Sequence, residues 1–273
     1  MSVSPETLRA FFDRPAEDLV TDAEAPAMHQ ILLAALETGA VRAAERRDDG
    51  AWTANPWVKQ AILSGFRRTH LVEMPGPGFP AFDKTAYPAR HFVLQDAVRL
   101  VPGGSAVRRG AHVGKGVVLM PPAYVNVGAY VDEGTMVDSH ALVGSCAQIG
   151  KRVHLSAAAQ IGGVLEPAGA RPVVVEDDAF VGGLVGLFEG IVVRRRAVLA
   201  SGVVITGSTV IYDLVNGREL RREVPEGAVV VPGSRPASGA FAQARGLQVS
   251  APCIVKYRDE RTDAATALES ALR

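Results

Sequence analysis

An aliphatic residue stands at every sixth position of this chain from Val113 onward: Leu119, Val125, Val131, Val137, Val143, Ile149, Leu155 and Ile161 follow without a gap. The series pauses across "GGVLEPAGARP" and resumes at Val175, Val181, Leu187, Val193, Leu199, Ile205 and Ile211. Val175 lies fourteen residues after Ile161 instead of twelve, so a loop is inserted there. A helix repeats near 3.6 residues and a strand at two, so neither produces this period. Internal repeats of fixed length instead point to a stacked, solenoidal fold.

A second register supports the first. Four positions beyond each aliphatic residue stands a small or β-branched one, as in Val117, Ala123, Ala129, Thr135, Ala141, Ala147, Val153 and Ala159. The later half continues it with Ala179, Val185, Ile191, Ala197, Val203 and Thr209. Six residues make one short strand and a turn, and three such sides close one triangular coil. The large aliphatic fills the prism, and the small residue fits near its corner. Coils stacked at roughly 4.8 Å hide their apolar faces on one another, so none is stable alone. The pattern therefore predicts a mainly β protein built on a left-handed parallel β-helix of five to six coils. The residue after each inward aliphatic (Asn126, Asp132, Asp138, Gly144, Gly150) faces out, where function can reside.

Before the repeat, residues 1–95 read as a helical domain. "SPETLRAFF" offers a serine cap and an early proline, and "APAMHQILLAALETG" carries an apolar face and stops near Gly39. "NPWVKQAILSGF" starts with Asn55 as cap and Pro56 in the first turn. Residues 96–225 form the β-helix. In residues 226–273, strands surround a protruding loop, followed by a closing helix capped by Thr262 or Asp263.

Lysine plus arginine (29) equal aspartate plus glutamate (29), which excludes the basic excess of a nucleic-acid binder. Two cysteines are too few for a disulfide framework, and no apolar run is long enough to span a bilayer. The amino terminus has no basic start leading into an apolar stretch, so a cytoplasmic location is expected.

Particular stretches carry a further signal. "RLVPGGSAVRRGAHVG", "VLMPPAYVNVGAYVDEGTMVD", "VGSCAQIGKRVHLS" and "IGGVLEP", with "GAWTANPWVKQAILSGFR" before them and "CIVK" after, resemble the tetrahydrodipicolinate N-succinyltransferase family. The resemblance covers nearly the whole chain. It implies a homotrimer whose active sites lie in grooves between prisms. There, succinyl-CoA and a small amino dicarboxylate meet in a ternary complex, with no metal, membrane or nucleic-acid partner. It assigns a substrate carboxylate to Arg99 and the reacting amine to Asp138 as the catalytic carboxylate, with Ser145 and Gly163 also on the substrate side. Gly183, Ala200, Ser201 and Gly202 fall at coenzyme A positions, and Lys256 and Arg261 are candidate contacts for its phosphates. The chemistry is consistent with this. An ammonium must lose a proton before it attacks a thioester, an arginine fork suits a carboxylate, and the developing oxyanion needs N–H donors, for which Gly162 and Gly163 are candidates.

The chain also departs from the family pattern. Where that pattern reads Gly-Ala-Arg-Ser-Glu-Val-Val-Glu-Gly, this sequence reads "GGLVGLFEG", Gly182 to Gly190, with Leu184 in place of the arginine and Gly186 in place of the first glutamate. Glu189 matches the second glutamate only. His140 takes an aromatic position, and Ala157 and Ala158 replace glycine-rich sequence. Succinyl transfer is the family default, and acetyl-CoA-dependent transfer in a lysine-derived branch, such as the tabtoxin route, is the alternative. A non-catalytic hexapeptide scaffold is a third reading. Simpler roles stand beside these: Asp132 and Asp138 as turn caps, Arg99 as a surface ion-pair partner, Arg194–Arg196 as a solvated turn, His140 as either base or interface packing, and Cys146 as a small buried residue. A zinc site from His112 and His154 lacks a third ligand.

Overall fold

A computed structural model describes residues 3–74 and 80–259. The sixfold repeat folds into two-residue strands that pair in parallel with the strand eighteen residues on, one coil above. Three faces result. The first stacks the strands ending at Val113, Val131, Ile149, Val175, Val193 and Val224. The second stacks those ending at Leu100, Leu119, Val137, Leu155, Val181 and Leu199, then Ala228–Val231. The third stacks those ending at Val107, Val125, Val143, Ile161, Leu187 and Ile205. All sixteen aliphatic positions of the repeat lie in one buried core. Each contributes about 2 kcal/mol from removal of its side chain from water. The inserted loop lies between the third face and the first, as the broken period requires.

Each coil has three corners, named here for the face they follow. Their backbone shows a third register that the sequence hides. At most corners the third residue after the inward aliphatic has positive φ whether or not it is glycine, as at Gly134, His140, Cys146, Arg152, Ala158 and Leu184; Pro122, Val164 and Ser208 are exceptions. The stacked neighbours on both sides impose this conformation, so composition does not reveal it. The first residue after the aliphatic caps the turn: Asn126, Asp132 and Asp138 each accept, through Oδ1, the next residue's N–H at 2.7–2.8 Å. Where the coil above sits too close, the position is glycine. A Cβ on Gly144 would lie 2.2 Å from the amide nitrogen of Gly163, and one on Gly182 would lie 2.7 Å from the carbonyl of Leu199.

The repeat's last position departs from the pattern. Ile211 is buried, but its strand, Val210–Asp213, leaves the coil. It forms a hairpin with Arg218–Arg221 at the edge of the second face, and Glu223–Val224 takes the vacated place on the first. Cys253–Tyr257 pairs antiparallel with Ala228–Val231, and the short hairpin Ser234–Pro236 with Gln248–Ser250 forms the protruding loop. The expected closing helix falls outside the described residues.

The amino-terminal helices are α1 (Pro5–Phe12), α2 (Ala16–Thr21), α3 (Ala25–Thr38) and α4 (Pro56–Arg68). Ser4 caps α1 through Thr7 N–H, and Gly39 ends α3 with a left-handed residue, as the sequence predicts. Asn55 precedes α4 but does not cap it; its side chain donates instead to the carbonyl of Arg42 and to Glu45. Leu8, Phe12, Leu32, Leu33 and Ile62 form a core that includes Val127 and Cys146 of the prism. Further ties bind this unit to the first face: His112 to the carbonyl of Glu37, and Trp52 to Glu176. The second face and its corner receive no such cover from the helices named here.

Candidate active site

The second corner gathers five of the residues singled out from sequence. Asp138, Gly183 and the run Ala200, Ser201, Gly202 lie along this one edge, with one coil between Asp138 and Gly183, because each follows a second-face strand. Arg99 opens the lowest second-face strand and is exposed. Asp138 follows the strand two positions above, so roughly 10 Å of prism axis separates them. Lys256 extends the same sheet at its upper end, beside Val229, and contacts Asp259 at 3.3 Å. Arg261 lies outside the described residues. Ser145 and Gly163 instead occupy the third corner, one face away, where Ser145 is nearly buried and its carbonyl accepts Val164 N–H at 3.2 Å. Within one chain these two therefore share no cleft with Asp138.

Hydrogen-bond accounting separates the two oxyanion candidates. The amide of Gly162 is committed to the carbonyl of Leu187 at 2.8 Å, which removes it as a donor. That of Gly163 has no acceptor among the described residues. Sequence reasoning missed a larger set. At the second corner the amides of Ala157, Gly183 and Ser201, one per coil, also have no acceptor among the described residues. The only carboxylate in this column, that of Asp138, has no cation within ion-pair distance among them, and one of its oxygens is free of the turn. An open carboxylate beside a ladder of open N–H groups can hold an ammonium and, along the coils, carbonyl oxygens. No alternation of residue types marks these amides; only the coil stacking exposes them.

Two segments match family models: residues 6–67 match the amino-terminal region of tetrahydrodipicolinate N-succinyltransferase, and residues 172–207 match the hexapeptide repeat of succinyl-transferase. A Rhodopseudomonas palustris protein named 2,3,4,5-tetrahydropyridine-2,6-dicarboxylate N-succinyltransferase is 44% identical over 100% of this chain and 99% of its own. A Polynucleobacter asymbioticus protein of the same name is 47% identical over 89% and 87%. This chain belongs to the tetrahydropyridine-dicarboxylate N-succinyltransferase family. A solved Campylobacter jejuni chain provisionally described as a 2,3,4,5-tetrahydropyridine-2-carboxylate N-succinyltransferase is 16% identical, with a TM-score of 0.52 over 82% of this chain and 62% of that one, a likeness of fold.

Against the family pattern, the departures form a packed unit. Gly186 faces outward on the third face, and the ring of Phe188 fills the space a side chain there would need, 2.6 Å from where its Cβ would stand. The same ring lies 2.7 Å from the corresponding point on Gly162. Leu184 takes the left-handed position of the second corner and is 69% exposed. His140 occupies that position two coils below, exposed, with its own N–H given to the carbonyl of Pro122. Cys146 is fully buried, and desolvation pushes its thiol up to about 12, so it is a packing residue. His112 stacks on Tyr130 on the first face and His154 sits beside Phe180 on the second, so the two cannot share an ion. No helix among the described residues is long and apolar enough to cross a membrane.

Proposed function

We propose that this protein is an acyl-CoA-dependent N-acyltransferase. In this reading it moves a succinyl group from succinyl-CoA to the amine of tetrahydrodipicolinate in its ring-opened form, or of a closely related amino diacid. The observation that carries this is the Asp138 carboxylate, uncompensated by any cation among the described residues and placed in a column of open amides. The relatives' names supply the reaction class.

The roles are those the family resemblance implies, read onto this arrangement. Asp138 orients the substrate ammonium and accepts a proton as the amine nitrogen attacks the thioester carbonyl; the C–S bond then breaks and the coenzyme A thiolate leaves. Arg99 pairs with a substrate carboxylate. The amides of Gly183 and Ser201, with Ala200 and Gly202 beside them, line the path of the pantetheine arm, and Lys256 and Arg261 meet phosphates beyond it. Gly163 donates to the thioester oxygen and Ser145 supports it. These last two lie one face away from Asp138, so the site closes only when a neighbouring copy presents its third corner to the second corner of the first. In this reading the assembly is a cytoplasmic homotrimer, as the family resemblance implies.

A second reading rests on Gly186 and Phe188. With an aromatic ring in place of an acidic side chain and Leu184 in place of a cation, this surface favours an acyl group without a terminal carboxylate, which makes acetyl-CoA the competing donor. A mass-spectrometric screen of succinyl- and acetyl-CoA against tetrahydrodipicolinate and 2-aminopimelate tests both. Succinylation in preference to acetylation supports the first reading, equal or better acetylation replaces it with the second, and coenzyme A binding without transfer to either amine leaves a scaffold.

A further inference from the structure

One face away from the Asp138 corner, a cavity of about 300 Å³ opens between the first face, its corner and the hairpin formed by Ala44–Arg46 and Trp52–Ala54. Its wall holds one unusual cation. The guanidinium of Arg42 lies 3.7 Å over the ring of Tyr130 and 5.4 Å from that of Trp52. Its Nε donates to Gln148 Oε1 at 2.9 Å, and Gln148, itself 1% exposed, is fixed by a bond to the carbonyl of Cys146. The fork is thus held in place, yet among the described residues no carboxylate pairs with it. Burial lowers its pKa, and Tyr130, Asp132, Glu45 and Asp177 act in the opposite direction without cancelling that shift.

The same lining carries the complement. Asp132 and Asp177 line the same cavity, and each spends one oxygen on a backbone amide, that of Glu133 and that of Lys151. Neither has an ion-pair partner among the described residues. Glu176, also in the lining, is already saturated by Trp52, Arg194 and the amide of Arg195. An open fork and two open carboxylates, in a lining of three arginines and three acids, match a molecule with both charges. An anion or a cation alone would leave one of these sets unpaired, a costly arrangement where access to water is restricted. The volume is at the small end of ligand cavities.

We propose that this cavity is a binding site for a free α-amino acid, its carboxylate on the Arg42 fork and its ammonium between Asp132 and Asp177. It is separate from the Asp138 corner and independent of the donor question.

Ligand-observed NMR on the full chain tests this with L-norvaline as the zwitterion, pentanoate as its des-amino analogue and butylamine as its decarboxylated one. Norvaline is expected to bind with Kd on the order of 1 mM or tighter, and each analogue about tenfold or more weaker. Asp177→Asn keeps the acceptor for the Lys151 amide and should weaken norvaline about tenfold, while Asp138→Asn should leave it unchanged. Arg42→Gln should abolish binding; if that variant does not fold, as judged by circular dichroism, Asp177→Asn decides alone. No norvaline binding at about 10 mM, pentanoate binding equal to norvaline, or affinity unaltered by Asp177→Asn would overturn the proposal.

Discussion

At the first corner of the prism, charge alternates coil by coil: Asp132 and Glu133, then Lys151 and Arg152, then Glu176, Asp177 and Asp178, then three arginines. Lys151 meets Glu133 at 2.9 Å, Arg152 meets Asp178 at 2.7 Å, and Arg194 meets Glu176 at 2.9 Å. Carboxylates there also accept the turn amides of Glu133, Lys151 and Arg195. The second corner repeats the left-handed third residue at His140, Ala158, Leu184 and Gly202, and at Asp138 the same aspartate cap. Yet it carries one carboxylate and leaves three amides open. The first corner also leaves the amides of Lys115 and Asp177 without an acceptor among the described residues, but ion pairs tie its coils together where the second corner shows none among them; the coil supplies shape alone. Whether a corner stabilises the fold or binds a ligand depends on whether its polar groups already have partners.

The largest expected effect breaks that difference directly. Asp138→Asn keeps the oxygen that caps Ser139 and removes the charge. Turnover should fall about 100-fold or more in a steady-state assay while coenzyme A binding and thermal midpoint stay close to the parent's. Retained turnover would mean the lone carboxylate is only a turn cap.

The next effect sets the pH window for that assay. His29 is buried against the Tyr87 hydroxyl at 2.9 Å, and desolvation lowers its pKa to about 4 from an ordinary 6.5. A base depressed in the folded state binds fewer protons than in the unfolded one. Its contribution is therefore full above about pH 6.5 and is lost as pH falls from there towards 4, by about 3 kcal/mol at most. Urea unfolding across that range should show this slope, and His29→Gln should flatten it. The two corners are best compared above pH 6.5, where the helical unit is intact.

A smaller effect concerns the face beside the second corner. Gly186→Glu alone should cost about 1–3 kcal/mol, because its Cβ meets the Phe188 ring, and Gly186→Glu with Phe188→Val should recover most of that loss. Additive costs in thermal unfolding would show that the ring does not fill the space. Least of all, Glu133→Gln at the first corner removes an exposed, solvent-screened pair and should leave the thermal midpoint and turnover close to the parent's.

The prism was legible because its inward positions obey a strict period: large aliphatics at the first position, small residues at the fifth, all driven by one packing constraint. Asp138 and the Gly183–Gly202 column were found through motif resemblance, and the coil stacking places them on one edge. Other features left no mark in residue type. The left-handed residues fall on histidine, cysteine and leucine as readily as on glycine, because stacking imposes the conformation. The open amides belong to Ala157, Gly183 and Ser201, which composition does not distinguish from satisfied neighbours. The Asn55 cap failed because its amide found tertiary partners, and the commitment of Gly162 follows from a bond to a strand twenty-five residues away.

Diffraction from crystals grown with coenzyme A and 2-aminopimelate examines the unpaired carboxylate most directly. The expected result is the ligand's amine at hydrogen-bonding distance, about 3 Å, from Asp138, with the pantetheine arm along Gly183 and Ser201 and a second copy's Gly163 closing the crevice. An amine bound elsewhere, or a second corner facing open solvent in the assembled protein, would contradict it.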